Sequence, residues 1–512
     1  MVIHYRENLS AAGSADSIKT GSTLSSEKIM LLKTVWSGSS NPASLSLFGY
    51  PYKIGKAYIG TGQEDGDFRL YQEPRRINTC NFYTCGYAKL KKWNFYGNFN
   101  YYSEKDKNVK WVDVMEPYTD NPYTLGDSIG GNYFKEYFKM EAKSAYLFSE
   151  LLTIGFDVKY KAGSGAKRKD PRPENVITSF SFIPSVLFKL NKFMLGANLR
   201  YEEGKEDIEI STVTGNTFNL FYFKGLGAYS STTEEDDRTD KKSLYGGGFQ
   251  FCFSKNKTTV LAEINSYKEE TDIKRSKKYP VQIVMLTKYN TDVATTITCR
   301  PSEHRLHKLN LNFTGKRIYG QEPVLEAVAE AANYQWSAVD KYTLYWYKAK
   351  DFSCKYSYYR LADNDHFNWG GSLSGGIHSG KTTYYFVPEY NRQKINQIYL
   401  DAVLEKSYTL KSSQFILSLN GGYRKGMNCS LELVDDEELL AAVNTEFVDH
   451  DFGYQKSRVW ETGASLQFGK KLGTDVSSQF QLFAEISYKK ISSDFSGNSQ
   501  REKLELNVGI NF

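Results

Sequence analysis

The chain has 512 residues, 65 Lys and Arg against 59 Asp and Glu, 15% aromatic residues including 39 Tyr, and a mean hydropathy of −0.53. No run of about 18 apolar residues occurs, which excludes a transmembrane helix, and a balanced charge without a basic stripe gives no footprint for nucleic acid. Two classes remain: large soluble β-domains (sandwich, propeller or solenoid), or one very large membrane barrel whose strands are apolar on one face only.

Residues 1 to about 45 are rich in Ser, Ala and Gly, and their one periodic patch, Ser25 to Trp36, is read as a helix. Met1 is followed by Val2-Ile3-His4-Tyr5-Arg6 rather than an apolar leader core, so a barrel reading expects a mature form or a truncated start. From about residue 46 onward, segments of 9 to 12 residues alternate apolar and polar between turns. Trp93, Phe95, Phe99 and Tyr101 oppose Asn94, Asn98 and Asn100, and Leu152, Ile154, Phe156 and Tyr160 oppose Asp157, Lys159 and Lys161. Lys161 to Glu174 is read as a basic, Pro-restricted extracellular loop. Its Lys167, Arg168, Lys169 and Arg172 are either contacts for an anionic ligand or partner protein, or solvated charges. Phe193, Leu195, Ala197, Leu199 and Tyr201 oppose Asn198 and Arg200, and Gly204 to Lys242 is read as a long connection. Glu322 to Trp336 and Leu431 to Val443 are read as short helices within extracellular loops.

The carboxy-terminal strands carry the cleanest signal. Leu504, Leu506, Val508, Ile510 and Phe512 share one face, and Lys503, Glu505, Asn507, Gly509 and Asn511 the other. Strand period is two, so one side is wholly apolar and the other wholly polar. Ile398 to Leu404, Phe415 to Tyr423, Trp460 to Phe468 and Phe480 to Tyr488 repeat the pattern. Connections alternate in length: Leu190 to Lys192 and Tyr408 to Ser412 are short, while Lys425 to Gln455 is long. Counting back from a periplasmic carboxy terminus sends every long connection outside the cell. The expected fold is all-β: a transmembrane antiparallel barrel of about 14 strands, within a range of roughly 14 to 20, with an amino-terminal arm or lumen plug over 1–45 and the barrel over 46–512. Phe512 ends a strand of the kind that barrel-assembly machinery recognises.

Asp157, Lys159, Lys161, Arg200, Asp401, Glu405, Arg424, Glu461, Glu485, Lys489, Lys503 and Glu505 all fall on polar faces. They line an aqueous pore, or they form cross-lumen salt bridges that fill a narrow barrel. The six Cys show no CxxC or metal spacing and are read as small hydrophobes within strands. His304 and His307 take opposite faces, and no nucleophile triad, phosphate loop or carboxylate pair emerges. No cofactor and no enzymatic activity are expected.

Ser40-Asn41-Pro42-Ala43-Ser44-Leu45, following a polar arm, resembles the Asn-Pro-Ala element of the FadL-type transporter superfamily. That resemblance implies a 14-stranded barrel with residues 1 to about 45 as a hatch in the lumen. The Tyr-rich barrel with large loops also resembles uncharacterised outer-membrane barrels of Bacteroidota, often encoded near TonB-dependent receptors and surface lipoproteins. The chain is therefore expected in the bacterial outer membrane, in contact with its lipids. Two functions stay open: a passive transporter of a small or amphipathic nutrient, or a non-transporting subunit that scaffolds surface lipoproteins or a TonB-dependent receptor.

Overall fold

Period-two alternation leaves each strand with one face for lipid and one for a polar interior, and closure into a barrel is what pairs every backbone group in a bilayer. The computed structural model describes residues 23–49, 53–213, 218–276, 280–330, 333–362, 366–472 and 480–512, with the backbone only for 327–330, 333–335 and 337. The main sheet has 19 strands. Eighteen of them run antiparallel in chain order around a closed barrel, and the short Ser430–Glu432 adds to the strand Tyr390–Leu410 above it. The seam joins the first strand, Ile54–Gly66, to the last, Gln500–Asn511. The 14-strand expectation is corrected to eighteen. Strands from residue 205 to 362 run far past the membrane and carry Gly, Tyr and charge, which blurs their alternation.

The outward face is apolar: Leu504, Leu506 and Val508 are 49%, 45% and 55% exposed. Two rows of aromatics bound it. Trp93 meets Tyr146 at 4.6 Å between ring centres and Phe415 meets Phe468 at 4.9 Å on one side. Tyr101 meets Phe138 at 5.1 Å and Tyr423 meets Trp460 at 5.9 Å on the other. The rows lie eight residues apart on each of these strands. That is about 26 Å along a strand, or about 20 Å along the membrane normal at a tilt of about 40°, close to the lipid-facing band of an outer-membrane barrel. The chain is a β-barrel of the bacterial outer membrane.

Tight turns such as 91–92, 191–192, 256–257 and 411–412 lie at the carboxy-terminal end of the barrel, taken as periplasmic. The long connections 110–130, 212–236 and 427–458 all lie at the other end. Gly204 to Lys242 is shorter than read, since strands extend to Ser211 and resume at Asp237. The described residues of Glu322 to Trp336 are strand, not helix. They belong to the pair Arg305–Glu330 and Asn333–Ala362, whose register pairs Val324 with Asp340. Leu431 to Val443 holds only the short helix Glu437–Leu440, and a longer one, Thr445–Lys456, follows. Asp436 and Asn444 each accept backbone N–H groups at these two starts, so two N-caps divide the region.

Candidate ligand chamber between plug and cap

Thr23–Gly49 lies inside the periplasmic half of the lumen and begins with helix α1, Ser26–Lys33. The sequence here puts small polar residues beside a few large apolar ones, and each kind finds a matching wall. Ile29 packs with Leu306, Tyr359 and Phe367, while Val35, Trp36 and Ala43 pack with Leu187, Cys252 and Leu261. Gly155 lets the backbone of this segment touch the wall, because a Cβ there would overlap Pro42 and Ala43.

Polar contacts accompany the apolar ones. The Ser39 hydroxyl and Ser40 N–H donate to the Glu263 carboxylate at 2.6 and 3.0 Å. Asn41 donates to the Gln250 side-chain oxygen at 2.8 Å, and Ala43 N–H to the Ser185 hydroxyl at 2.9 Å. Lys28 pairs with Glu405, which also accepts from Tyr359 and Ser418. Lys308 donates to the Leu31 and Thr34 carbonyls at 3.2 and 2.9 Å and to the Ser37 hydroxyl at 2.8 Å. It thereby caps the carboxy-terminal end of α1, where orphan carbonyls favour a cation.

The extracellular end is closed by loops. The connection 110–130 reaches from its own strands across the lumen: Lys288 donates to Thr119 O at 2.9 Å, Lys316 pairs with Asp120 at 2.5 Å, and Tyr123 donates to Glu322 at 3.2 Å. Its Leu125–Asp127 forms a second, three-stranded sheet with Leu220–Gly225 and Ala228–Thr232. Val112, Val114 and Leu125 are buried with Ile208, Ile210 and Leu220. Asp113, Asp127 and Lys167 meet in a cluster in which no side chain is more than 1% exposed. Burial, partly offset by Lys167, pushes the Asp113 carboxyl up to about 7.

Between plug and cap lie two cavities of about 350 and 500 Å³ that share Glu141 and Lys159 on their walls. A third, of about 550 Å³, lies beside α1. Asp157, Lys159 and Arg200 line the first, together with Tyr96, Tyr267 and the seryl floor of the plug. Glu405 and Glu485 line the third, which also holds Lys56, Lys308 and Lys355. Asp401, Arg424 and Glu461 share the lumen-facing phase but lie outside these three linings. Glu461 pairs with Lys489 at 2.7 Å, Arg424 sits over the Tyr454 ring, and the Asp401 carboxylate lies against Gly422. Lys503 pairs with Glu505 at 2.8 Å.

Lys167 is not an extracellular loop contact. The strand Leu152–Lys167 continues through the segment read as a loop, and Lys167 is buried beneath the cap. Gly163 and Gly165 within this strand make room for Tyr137, Ile177 and Met115. Arg168 lies over the Phe134 ring, Arg172 pairs with Asp170 at 2.6 Å, and Lys169 is exposed. Phe512 exchanges backbone hydrogen bonds with Gly55 at 2.6 and 2.9 Å, and its ring covers that glycine on the lipid side.

Sequence reading did not single out Glu141, Lys143 or the connection 110–130. Register supplies the missing signal: Glu141 lies opposite Lys159 and Lys143 opposite Asp157, which is cross-strand charge pairing.

A family model described as Family of unknown function (DUF6850) matches residues 42–512. No curated protein matches the chain. Among solved structures, the FrpB iron transporter from Neisseria meningitidis (F3-3 variant) aligns with TM-score 0.41 and 8% identity over 92% of this chain and 83% of its own. The copper transporter OprC aligns with TM-score 0.40 and 8% identity over 90% and 81%. The RagAB peptide importer in its closed-closed state aligns with TM-score 0.38 and 6% identity over 90% and 87%. At these scores the likeness reaches no further than large barrels. The FadL-type resemblance does not hold: the family matched is a different one, and its implied 14 strands are eighteen.

Proposed function

We infer the function of this chain, which belongs to the DUF6850 family of unknown function, from the way its lumen is blocked. It is an uptake barrel in which a small polar nutrient enters beneath the cap, rests in the chamber and leaves when the amino-terminal plug moves. One observation carries this reading. An eighteen-strand wall encloses enough space for an aqueous channel, and here a single segment, Thr23–Gly49, fills the periplasmic half of it through replaceable hydrogen bonds and ion pairs beside its apolar contacts. Release is taken as passive, driven by the ligand gradient.

Planar-bilayer conductance tests this. Deleting residues 1–45 is expected to turn a nearly silent barrel into one with stepwise currents, and an unchanged current would sink the gating role. Uptake into cells that persists in a protonophore supports passive release; its loss makes the barrel an energised transporter.

The second reading, a closed scaffold for surface lipoproteins or a receptor, is favoured by one feature. The hairpin Arg305–Ala362 stands well beyond the aromatic rows, and Trp336, Val339 and Tyr342 on it are exposed at 56%, 53% and 52%. Stoichiometric co-purification from native membranes, together with silence after the deletion, would favour it.

A further inference from the structure

The chamber walls carry many charges, yet they balance. Among the described residues the smaller cavity is lined by three acidic and three basic side chains, and the larger by six of each. Most are already paired with one another. Glu141 lies 3.0 Å from Lys143 and 3.3 Å from Lys159, Glu116 lies 2.5 Å from Lys161, Glu202 lies 2.6 Å from Lys242, and Glu269 lies 2.9 Å from Lys288. An anion or cation entering such a space must break a pair to find its own counter-charge, and it leaves the displaced partner unmatched in a partly desolvated site.

A neutral ligand with many hydroxyl groups meets no such penalty. Each paired carboxylate keeps spare lone pairs, and each ammonium keeps spare N–H groups. A hydroxyl can bridge them by charge-assisted hydrogen bonds without separating the pair. Two polar atoms of the wall residues, Asp157 Oδ1 and the Ser181 hydroxyl, have no hydrogen-bond partner, although both are closed off from the cavity itself. Tyr96 and Tyr267 also line the smaller cavity: Tyr96 packs on Tyr87 at 4.5 Å between ring centres with Lys143 over its ring, and Tyr267 carries Arg200 over its ring. Such rings add apolar area for the C–H groups of a sugar beside the polar ones. The combined space suits a ligand of a few sugar units.

We propose that the chamber binds an uncharged oligosaccharide, held by the paired charges of the strands Gly131–Leu147 and Leu152–Lys167, by Asp157 and by Tyr96 and Tyr267. This rests on the uptake reading for its physiological purpose, but the binding itself can be measured without transport. A zwitterionic peptide fits less well, since its two charged ends would each have to open a pair.

The test is calorimetric titration of the full-length protein in detergent. The probes are neutral α- and β-linked gluco-, manno- and xylo-oligosaccharides of two to five units, with tetra-alanine and citrate as charged comparisons. At least one oligosaccharide is expected to bind, with an affinity that changes less than about twofold between about 0.05 and 0.5 M salt. Asp157→Ala and Tyr96→Ala are each expected to weaken it by about tenfold, while Arg76→Ala, outside the chamber, leaves it unchanged. Binding of tetra-alanine or citrate in preference to every sugar overturns the inference, as does binding of no sugar at all. If a sugar binds but is not taken up by proteoliposomes after plug deletion, the uptake reading fails and the chamber assignment stands.

Discussion

At the periplasmic end the lumen is closed by one segment that joins serine, asparagine and lysine hydrogen bonds to three apolar clusters, burying Ile29, Met30, Val35, Trp36, Ala43 and Leu45 against the wall. At the extracellular end it is closed by several loops joined through aromatic rings and buried aliphatic residues. Tyr71 meets Phe447 at 5.7 Å and His450 at 5.4 Å, Trp111 meets Phe221 at 5.0 Å, Phe223 meets Phe447 at 5.7 Å, and His450 meets Phe495 at 4.9 Å. Polar contacts exchange for water at a net cost of about 1 kcal/mol each. Exposing stacked rings and buried aliphatics costs more, and water offers nothing in return. The two closures therefore differ in how they are joined: the plug is one segment seated on the wall, whereas opening the cap must part several loops stacked on one another.

The sharpest way to break that contrast is to force the plug out and watch the cap. Gly155→Leu places a side chain where the Pro42–Ala43 backbone lies. It is expected to raise single-channel conductance toward that of the plug-deleted barrel, while amide exchange over residues 110–130 stays slow. A silent Gly155→Leu channel would mean that the plug shifts without opening a path.

The reverse experiment removes Lys167, whose side chain is 1% exposed between Asp113 and Asp127. Lys167→Ala leaves two carboxyls buried without their cation, a loss of about 3 to 5 kcal/mol. Exchange over 110–130 should accelerate more than tenfold, with conductance unchanged because the plug still blocks the lumen. Equal loosening of residues 26–47 would show that the two closures are coupled.

The smallest effect concerns pH. Asp113 is held up to about 7, from an ordinary 3.8, by burial. A carboxyl whose folded value is raised favours the protonated folded form, so cap stability falls as pH rises from about 4 to about 7 and is flat above that. Exchange over 110–130, corrected for its intrinsic pH dependence, should be faster at pH 8 than at pH 5. Asp113→Asn should reduce the difference.

Legibility in the sequence followed the environment of each segment. Leu504 to Phe512 could be read because lipid stands on one side and a polar lumen on the other, so nothing disturbs the alternation. Lys161 to Lys167 could not. Its lumen side is covered by the cap, and glycines that serve close packing look like those of a loop. Asp157, Lys159 and Arg200 were legible as inward-facing charges, but their partners on neighbouring strands depend on register, which one strand alone does not encode. The connection 110–130 has no periodicity at all, because it crosses the lumen irregularly and is held by side chains from distant strands.

The seam gives the plug a fixed edge. Ile54 opens a strand paired on both sides, with Tyr87 in the next strand and, two residues on, Lys56 with Asn511 in the last. The segment that ends at Gly49 joins the wall at this seam, within a few residues of Ile54. Helix α1 bridges the lumen: Met30 packs with Ile54 and Tyr87 beside the seam, while Lys308 holds the Thr34 carbonyl from a strand almost diametrically across the ring. That lysine therefore fastens the segment on the side of the ring farthest from its covalent attachment.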